Sequence, residues 1–289
     1  MTIASKASEA PIGRGSAPLS FIAATRLASR APHWLLYAVS RVGGAIHYCL
    51  SVEKRRNYLA NTRPLGRRPR HRPWHAFQNQ ALNVLELLKA VSQDGVSVRN
   101  GICLHGEEVL RSALERGRGL ILATVHTGNW ELSGLTLAGR GYPVTTVAGE
   151  QLRSGWSDEV RGLKERFGIH VVTPGPNLRH LVRDLHANRV VALHVDGDLF
   201  TGGLEVLFFE RRVRVPRGPA RLSRITGAPV AFAFCHRTGR KKLDIVIEDT
   251  ATAPTTTQEE NALTRRLVRR VERRISDAPG QWCIFRRIE

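Results

Sequence analysis

Between residues 120 and 248, short apolar runs alternate with segments of helical spacing, and this alternation constrains the fold more than any other feature of the chain. The runs 120–125, 144–148, 169–172, 190–195, 229–235 and 243–248 read as buried strands. The segments 130–138, 157–167, 177–187 and 216–225 have helical spacing, and Gly168 and Gly227 stand where two of them stop. A charged helix over 258–276 follows. Phe77 to Val91 and Val109 to Leu114 add two helices upstream, and no internal repeat is visible. Such alternation predicts an α/β fold with a mostly parallel central sheet flanked by helices. In sheets of this kind ligands bind beyond the carboxyl ends of the strands.

One strand end carries chemistry. The run Leu120 to Val125 gives way to His126-Thr127-Gly128-Asn129-Trp130-Glu131, and a helix starts with Leu132 to Ala138. His is the side chain that exchanges a proton near neutral pH. A carboxylate on one ring nitrogen fixes the tautomer and frees the other nitrogen as a base. Glu131 is the carboxylate nearest in sequence. A His–Glu pair at a strand–helix junction also serves as a plain structural hydrogen bond, so spacing alone leaves both roles open.

A second strand end is polar as well. Val190 to Val195 leads into Asp196-Gly197-Asp198-Leu199-Phe200-Thr201-Gly202-Gly203. Its glycines let backbone approach a ligand closely, although a turn without function uses the same residues. Two acids alone fall short of a divalent-metal site, and no calcium-hand spacing is present. No metal and no cofactor are expected.

The chain of 289 residues, 42% hydrophobic, is long enough for one large domain or two small ones and supports a real core. Cys49, Cys103, Cys235 and Cys283 are widely spaced with no CxxC pair, which argues against a zinc ribbon or disulfide scaffold. The net charge is +19, and all but six of the 44 basic side chains are Arg. Charge of this size favours anionic partners: nucleic acid, acidic lipid headgroups or phosphorylated substrates. The basic residues are scattered, with no recognition-helix signature and few interleaved aromatics, so no nucleic-acid partner is expected. A metal hydrolase would need more ligands around His126. A membrane scaffold without activity leaves the His–Glu pair unexplained.

Residues 1–17 are rich in Ala, Ser, Gly and Pro and read as disordered, without the compact apolar run of a cleaved signal peptide. Pro32 to Leu50 approaches the length of a membrane span, which takes about twenty mostly apolar residues. Arg41 interrupts it, at a cost of roughly 2.5–3.5 kcal/mol on insertion scales. An interfacial helix flanked by Trp34, Tyr37 and Tyr48 and an ordinary buried helix both fit. The stretch Arg63 to Pro73 holds three prolines and five arginines, and it reads as an exposed connector able to meet anionic headgroups. The expected organisation is a disordered start and membrane-associated helical segment over 1–52, followed by a catalytic domain over 53–289.

The run Thr124 to Glu131 resembles the His-(four residues)-acid motif of the lysophospholipid acyltransferase superfamily, and more closely the late acyltransferases of lipid A biosynthesis. There a His-aromatic-Gly-Asn-Trp-Glu form is typical. Further blocks follow in order. Leu185 to Gly203 is similar to a helix, strand and acidic loop, with Asp196-Gly197-Asp198 in place of Asp-Gln-Asp. Phe208-Phe209, Val215-Pro216 and Gly218-Pro219-Ala220 resemble a Phe-Phe-Gly…Pro…Gly-Pro-Ala block, and Thr226 to Val230 matches the next. Pro279 to Arg287 resembles the C-terminal end, and Arg55-Arg56 with Asn61 the segment after the N-terminal anchor. The resemblance covers roughly residues 30–288. Thr127 replaces the usual aromatic, Glu210 the glycine of Phe-Phe-Gly, and Gly197 a glutamine. Mycobacterial-type acyltransferases of phosphatidylinositol mannosides share this architecture with looser blocks.

The resemblance implies direct transfer of a fatty acyl chain from acyl-CoA or acyl carrier protein to a hydroxyl of an anionic membrane glycolipid or phospholipid. The expected location is the cytoplasmic face of the inner membrane. His126 is then the general base and Glu131 its orienting partner. Gly128 and Asn129 amides are expected to meet the thioester oxyanion, although Asn129 also suits a helix cap. Asp196 and Asp198 are expected to hold the acceptor or His126, and Arg166, with Arg153 and Arg161, to meet phosphates.

Overall fold

The computed structural model describes residues 18–65, 72–92, 101–147, 156–173, 179–196 and 203–288. Four helices come first: α1 (Leu19–Arg30), α2 (His33–Leu50), α3 (Val52–Thr62) and α4 (Trp74–Ser92). Strands and helices then alternate through β1 (Ile102–His105), α5 (Glu107–Glu115), β2 (Leu120–Thr124), α6 (Trp130–Gly139), β3 (Val144–Val147), α7 (Trp156–Arg166), β4 (His170–Val172), α8 (Arg179–His186) and β5 (Val190–His194). A hairpin of β6 (Leu204–Phe208) and β7 (Arg211–Val215) precedes α9 (Gly218–Thr226), β8 (Val230–Arg237), β9 (Leu243–Ala251) and α10 (Thr257–Asp277).

Among the described residues one seven-stranded sheet forms, in the order β1-β9-β8-β2-β5-β3-β4. All neighbours are parallel except β8 and β9, so β1 and β9 run against the other five. The expected mostly parallel sheet is therefore present.

The central strands are apolar on both faces because helices cover both faces. Successive side chains alternate between the faces. Ile121, Ala123, Val191, Leu193, Phe232 and Phe234 join one core with residues of α8, α9 and α10. Leu120, Leu122, Val190, Ala231 and Ala233 join the other, with residues of α1, α4, α5, α6 and α7. Each fully buried side chain of this size contributes about 1.5–3 kcal/mol. The longest helix, α10, is held by one stripe, Leu263, Leu267, Val271 and Ile275, and its start is capped by the Thr256 hydroxyl, which accepts from the Glu259 amide at 3.1 Å.

Two features escaped the sequence reading. Edge strand β1 alternates half-buried with exposed residues and lacks an apolar run. The β6–β7 hairpin turns on Phe209 and Glu210, both left-handed with φ of 47° and 63°. That is the two-residue primed turn that matches strand twist, and it favours glycine. Glu210 stands where the family motif has that glycine.

The N-terminal helices are packed on one face and exposed on another. Leu36, Ser40 and Gly44 of α2 are buried, and Gly44 lies so close to α4 that a Cβ there would collide with the Gln78 backbone. Leu35, Val39, Val42, Ile46 and Leu50 form a separate, exposed stripe, with Val42 63% and Ile46 54% exposed. No single described helix is long and apolar enough to cross a membrane; α2 and the segment after it meet that test only together, across a 94° bend. Of the basic connector, Arg63–Leu65 forms a short 3-10 turn, while 66–71 lies outside the described residues.

Candidate active site

Strands β2 and β5 are parallel neighbours, and every paired residue is offset by the same interval, from Leu120 beside Val190 to Thr124 beside His194. The register continues past the strand ends, where the Val195 amide donates to the Thr124 carbonyl at 2.9 Å. His126 therefore emerges beside Asp196, 70 residues away in sequence. Asp196 Oδ1 accepts from His126 Nδ1 at 2.8 Å, and Oδ2 accepts from the His126 backbone amide at 2.8 Å. The indole N–H of Trp282, a fully buried residue, donates to the same Oδ2 at 2.8 Å.

The electrostatics follow from this grip. Burial alone raises the Asp196 pKa, but the His126 charge, its hydrogen bonds and His194 outweigh it and bring the carboxyl down to about 2. An ionised Asp196 requires the proton of neutral His126 to sit on Nδ1. Nε2 then carries the lone pair, and it has no hydrogen-bond partner among the described residues. This is the arrangement a general base needs. A second imidazole, His194, stacks on His126 with ring centroids 3.7 Å apart and planes 16° off parallel. Burial first, and then the His126 charge, push the His194 pKa well below its usual value, so this ring is neutral.

Glu131 does not touch the base. It pairs with Lys164 Nζ of α7 at 2.5 Å. The reason is helical geometry: Glu131 lies in the first turn of α6, on the face toward α7, whereas the loop from His126 to Asn129 turns back toward β8. The expected His126–Glu131 pairing is thus replaced by His126–Asp196, and Glu131 forms an ion pair with the buried Lys164 instead. Glu131, Lys164, Trp130 and His194 line a cavity whose wall is otherwise mostly apolar, with Leu122, Leu137, Val144, Ile169, Ile245 and Ile247.

The loop between the base and α6 is tightly fixed. Gly128 has φ +58°, and a Cβ on it would lie 2.6 Å from the Cys235 carbonyl oxygen. The Asn129 side chain caps α6, accepting from the Leu132 amide at 3.2 Å, and its own amide donates to Cys235 Sγ at 3.4 Å. The Asn129 N–H expected to meet the oxyanion thus has a partner inside the fold, and its side chain takes the helix-cap role that the sequence also allowed. The Gly128 carbonyl accepts from Asn83, and Asn129 Nδ2 donates to Glu86 at 2.9 Å. Glu86 also takes both terminal nitrogens of Arg237, at 2.8 and 2.7 Å, and lies 3.1 Å from His33 Nε2. Burial pulls the Glu86 pKa upward, but these partners outweigh it and hold the carboxyl ionised.

The remaining expected residues scatter. Arg166 is exposed on the last turn of α7, away from the cavity lining, and Arg161 donates to Thr173 at 3.0 Å. Asp198, Gly197 and Arg153 lie outside the described residues. Among the described residues no group of three His, Cys, Asp or Glu is placed to hold a metal ion. The sequence reading passed over Lys164, Trp282, His194, Asn83 and Glu86 as site residues. One signal for the last two was legible: Asn79, Asn83 and Glu86 form a polar stripe at helical spacing within α4.

Residues 73–288 match the bacterial lipid A biosynthesis acyltransferase family. The chain belongs to that family. A protein named phosphatidylinositol mannoside acyltransferase from Mycobacterium tuberculosis (strain CDC 1551 / Oshkosh) is 32% identical over 190 residues, which cover 62% of this chain and 57% of that protein. The protein of that name from Mycolicibacterium smegmatis (strain ATCC 700084 / mc(2)155) is 36% identical over 130 residues, 44% of this chain and 43% of that protein. The chain thus spans about half the length of the curated relatives it matches.

Membership in the acyltransferase family gives the C-terminal block of the sequence a physical meaning. Besides the Trp282 indole on Asp196, the Cys283 amide donates to the His126 carbonyl at 2.9 Å, and Asn61 of α3 takes the Ile288 amide at 3.1 Å while donating to the Arg286 carbonyl at 2.7 Å. The chain end is therefore a wall of the site. Thr127, in the family's aromatic position, is buried and donates its hydroxyl to the Cys235 carbonyl at 3.0 Å, which fastens the same loop to β8.

Proposed function

We propose that this chain is a lipid O-acyltransferase that carries a fatty acyl group from acyl-CoA or acyl carrier protein to a hydroxyl of an anionic membrane glycolipid, with a phosphatidylinositol mannoside-type lipid as the leading acceptor. One observation carries the reading: an oriented imidazole with a free Nε2, backed by an ionised carboxylate and packed against Trp130 and His194, two residues that line a largely apolar cavity. The acceptor hydroxyl gives its proton to His126 Nε2 as its oxygen attacks the thioester carbonyl carbon. The C–S bond of the tetrahedral intermediate then breaks, and the leaving thiolate takes the proton from the imidazolium. Asp196 stabilises the imidazolium between the two steps. General-base assistance of this kind contributes on the order of 10²–10⁴-fold. No acyl-enzyme is required. The apolar wall between α6 and the sheet suits the first methylenes of an acyl chain.

The acceptor assignment draws on the names of the relatives and on the +19 charge. The exposed stripe of α2 suits attachment to a membrane surface, on the cytoplasmic side where acyl thioesters are made. The test is transfer from radiolabelled palmitoyl-CoA by the purified protein, with phosphatidylinositol mannosides, a lipid A precursor and a soluble alcohol as competing acceptors. Acylated mannoside is expected, and His126→Ala is expected to abolish it. Preferential acylation of the soluble alcohol, or full turnover by folded His126→Ala, overturns the reading.

A further inference from the structure

Two buried ring nitrogens beside His126 have no partner. Trp130 Nε1 and His194 Nε2 are shielded from solvent and make no hydrogen bond among the described residues. Buried donors are paired in native structures with few exceptions, and each exception calls for an explanation. An unmade hydrogen bond of this kind costs about 1–3 kcal/mol. Both residues line the same cavity, with Glu131 and Lys164. Both rings also pack on the base: Trp130 edge-on with centroids 5.1 Å apart, and His194 face to face at 3.7 Å. The two ring centroids lie 6.4 Å apart, with the planes nearly perpendicular.

We propose that Trp130 Nε1–H and His194 Nε2–H form the oxyanion hole, donating to the thioester carbonyl oxygen as it becomes negatively charged. This inference rests on the acyl-transfer reading above. The Asn129 amide is committed to Cys235 Sγ, which removes one of the two backbone donors that the motif suggests. The indole N–H is a donor only, with no competing lone pair. The depressed basicity of His194 keeps its ring neutral, and in the proposed tautomer, with the proton on Nε2, it donates there without competing with His126 for the substrate proton. Neither group changes protonation in the reaction: the proton moves from acceptor oxygen to His126 and on to the thiolate, while the two N–H bonds only shorten their contact with the oxygen. Trp130 and His194 are thereby catalytic residues, whereas Asp196 is a positioning residue.

The experiment uses the full chain and palmitoyl-CoA carrying ¹³C at the thioester carbonyl. Trp130→Phe and His194→Phe keep the rings and remove the N–H groups; His194→Gln restores a donor. Each Phe variant is expected to lose on the order of 10²-fold in kcat with the donor KM within a few-fold, the pattern of a lost oxyanion donor, and His194→Gln is expected to recover part of the loss. In a His126→Ala background, which blocks turnover, infrared spectroscopy of the bound thioester reads the hole directly. The ¹³C=O stretch is expected to lie below its value in water and to rise in both Phe variants. Unchanged kcat and unchanged carbonyl frequency in folded Phe variants overturn the proposal while leaving acyl transfer intact. A shifted carbonyl in a protein that acylates no lipid overturns the function and sustains the hole.

Discussion

Asp196 grips His126 at two atoms at once, its Oδ1 on the ring Nδ1 and its Oδ2 on the backbone amide, each at 2.8 Å. One carboxylate therefore fixes the position of the loop, the orientation of the ring and the tautomer. A change at Asp196 reaches all three.

Asp196→Asn retains the size of the side chain but presents an amide N–H to one of its partners, and it cannot stabilise an imidazolium. We expect kcat to fall on the order of 10²–10⁴-fold, with a smaller change in donor KM. The same variant carries a pH signature. The Asp196 pKa is depressed to about 2 in the fold, so its contribution to stability is complete above the ordinary carboxyl value near 4 and disappears as pH falls through about 2. Denaturant unfolding between pH 5 and 2 should show a steep acid limb in the wild type and a flatter one in Asp196→Asn. Parallel limbs would remove the ion pair from the account.

Lys164 is buried and its partner Glu131 partly so, and removing the carboxylate strands the buried ammonium. Glu131→Gln is expected to lower stability by about 3 kcal/mol, and Glu131→Gln with Lys164→Met to recover most of it. Urea midpoints of the two single variants and the double variant measure the coupling. Additive losses would show that the pair contributes nothing jointly.

Gly128→Ala places a methyl group 2.6 Å from the Cys235 carbonyl at a left-handed backbone position. The loop must shift, and the base shifts with it. Transfer activity should drop by at least about tenfold, since angstrom-scale displacement of a catalytic group costs up to roughly 10²-fold. An active Ala variant with wild-type melting temperature would refute this steric reading.

Glu210→Gly should do the opposite. Glu210 is exposed and sits at φ +63° in the β6–β7 turn, where a side chain costs about 1–2 kcal/mol and glycine gives back roughly 0.5–1 kcal/mol through the unfolded chain. A net gain of about 0.5–1 kcal/mol is expected in thermal unfolding, with no change in activity.

The α2 stripe offers a test of membrane attachment. Val42→Glu with Ile46→Glu leaves the packed Leu36–Ser40–Gly44 face untouched, so the fold should persist. Co-sedimentation with anionic vesicles should weaken at least about tenfold, as two apolar anchors are lost. Wild-type binding should also decline as salt rises from 0.1 M to 1 M and the screening length drops from about 10 Å to about 3 Å. Unaltered binding of the double variant would place the contact elsewhere.

The sequence by itself determined the layers and the location of the chemistry. Central strands such as 120–124 and 190–194 are apolar on both faces and so declare themselves buried, and His126 and Asp196 both declare themselves as polar groups at strand ends. The pairing between them was decided in three dimensions. Glu131 is five residues from His126 and Asp196 is 70, yet the in-register contact of β2 with β5 brings the distant carboxylate to the ring while the first turn of α6 carries the near one to Lys164. Trp282 was visible as part of a C-terminal block, but its bond to Asp196 exists only because the chain end folds back across the strand ends. His194 looked like one more residue of a buried strand, and its stacking on His126 follows from sheet register, which no local pattern encodes. Local periodicity reports which face of an element is buried; which elements become neighbours depends on the summed packing of distant segments, and the site is built from those neighbours.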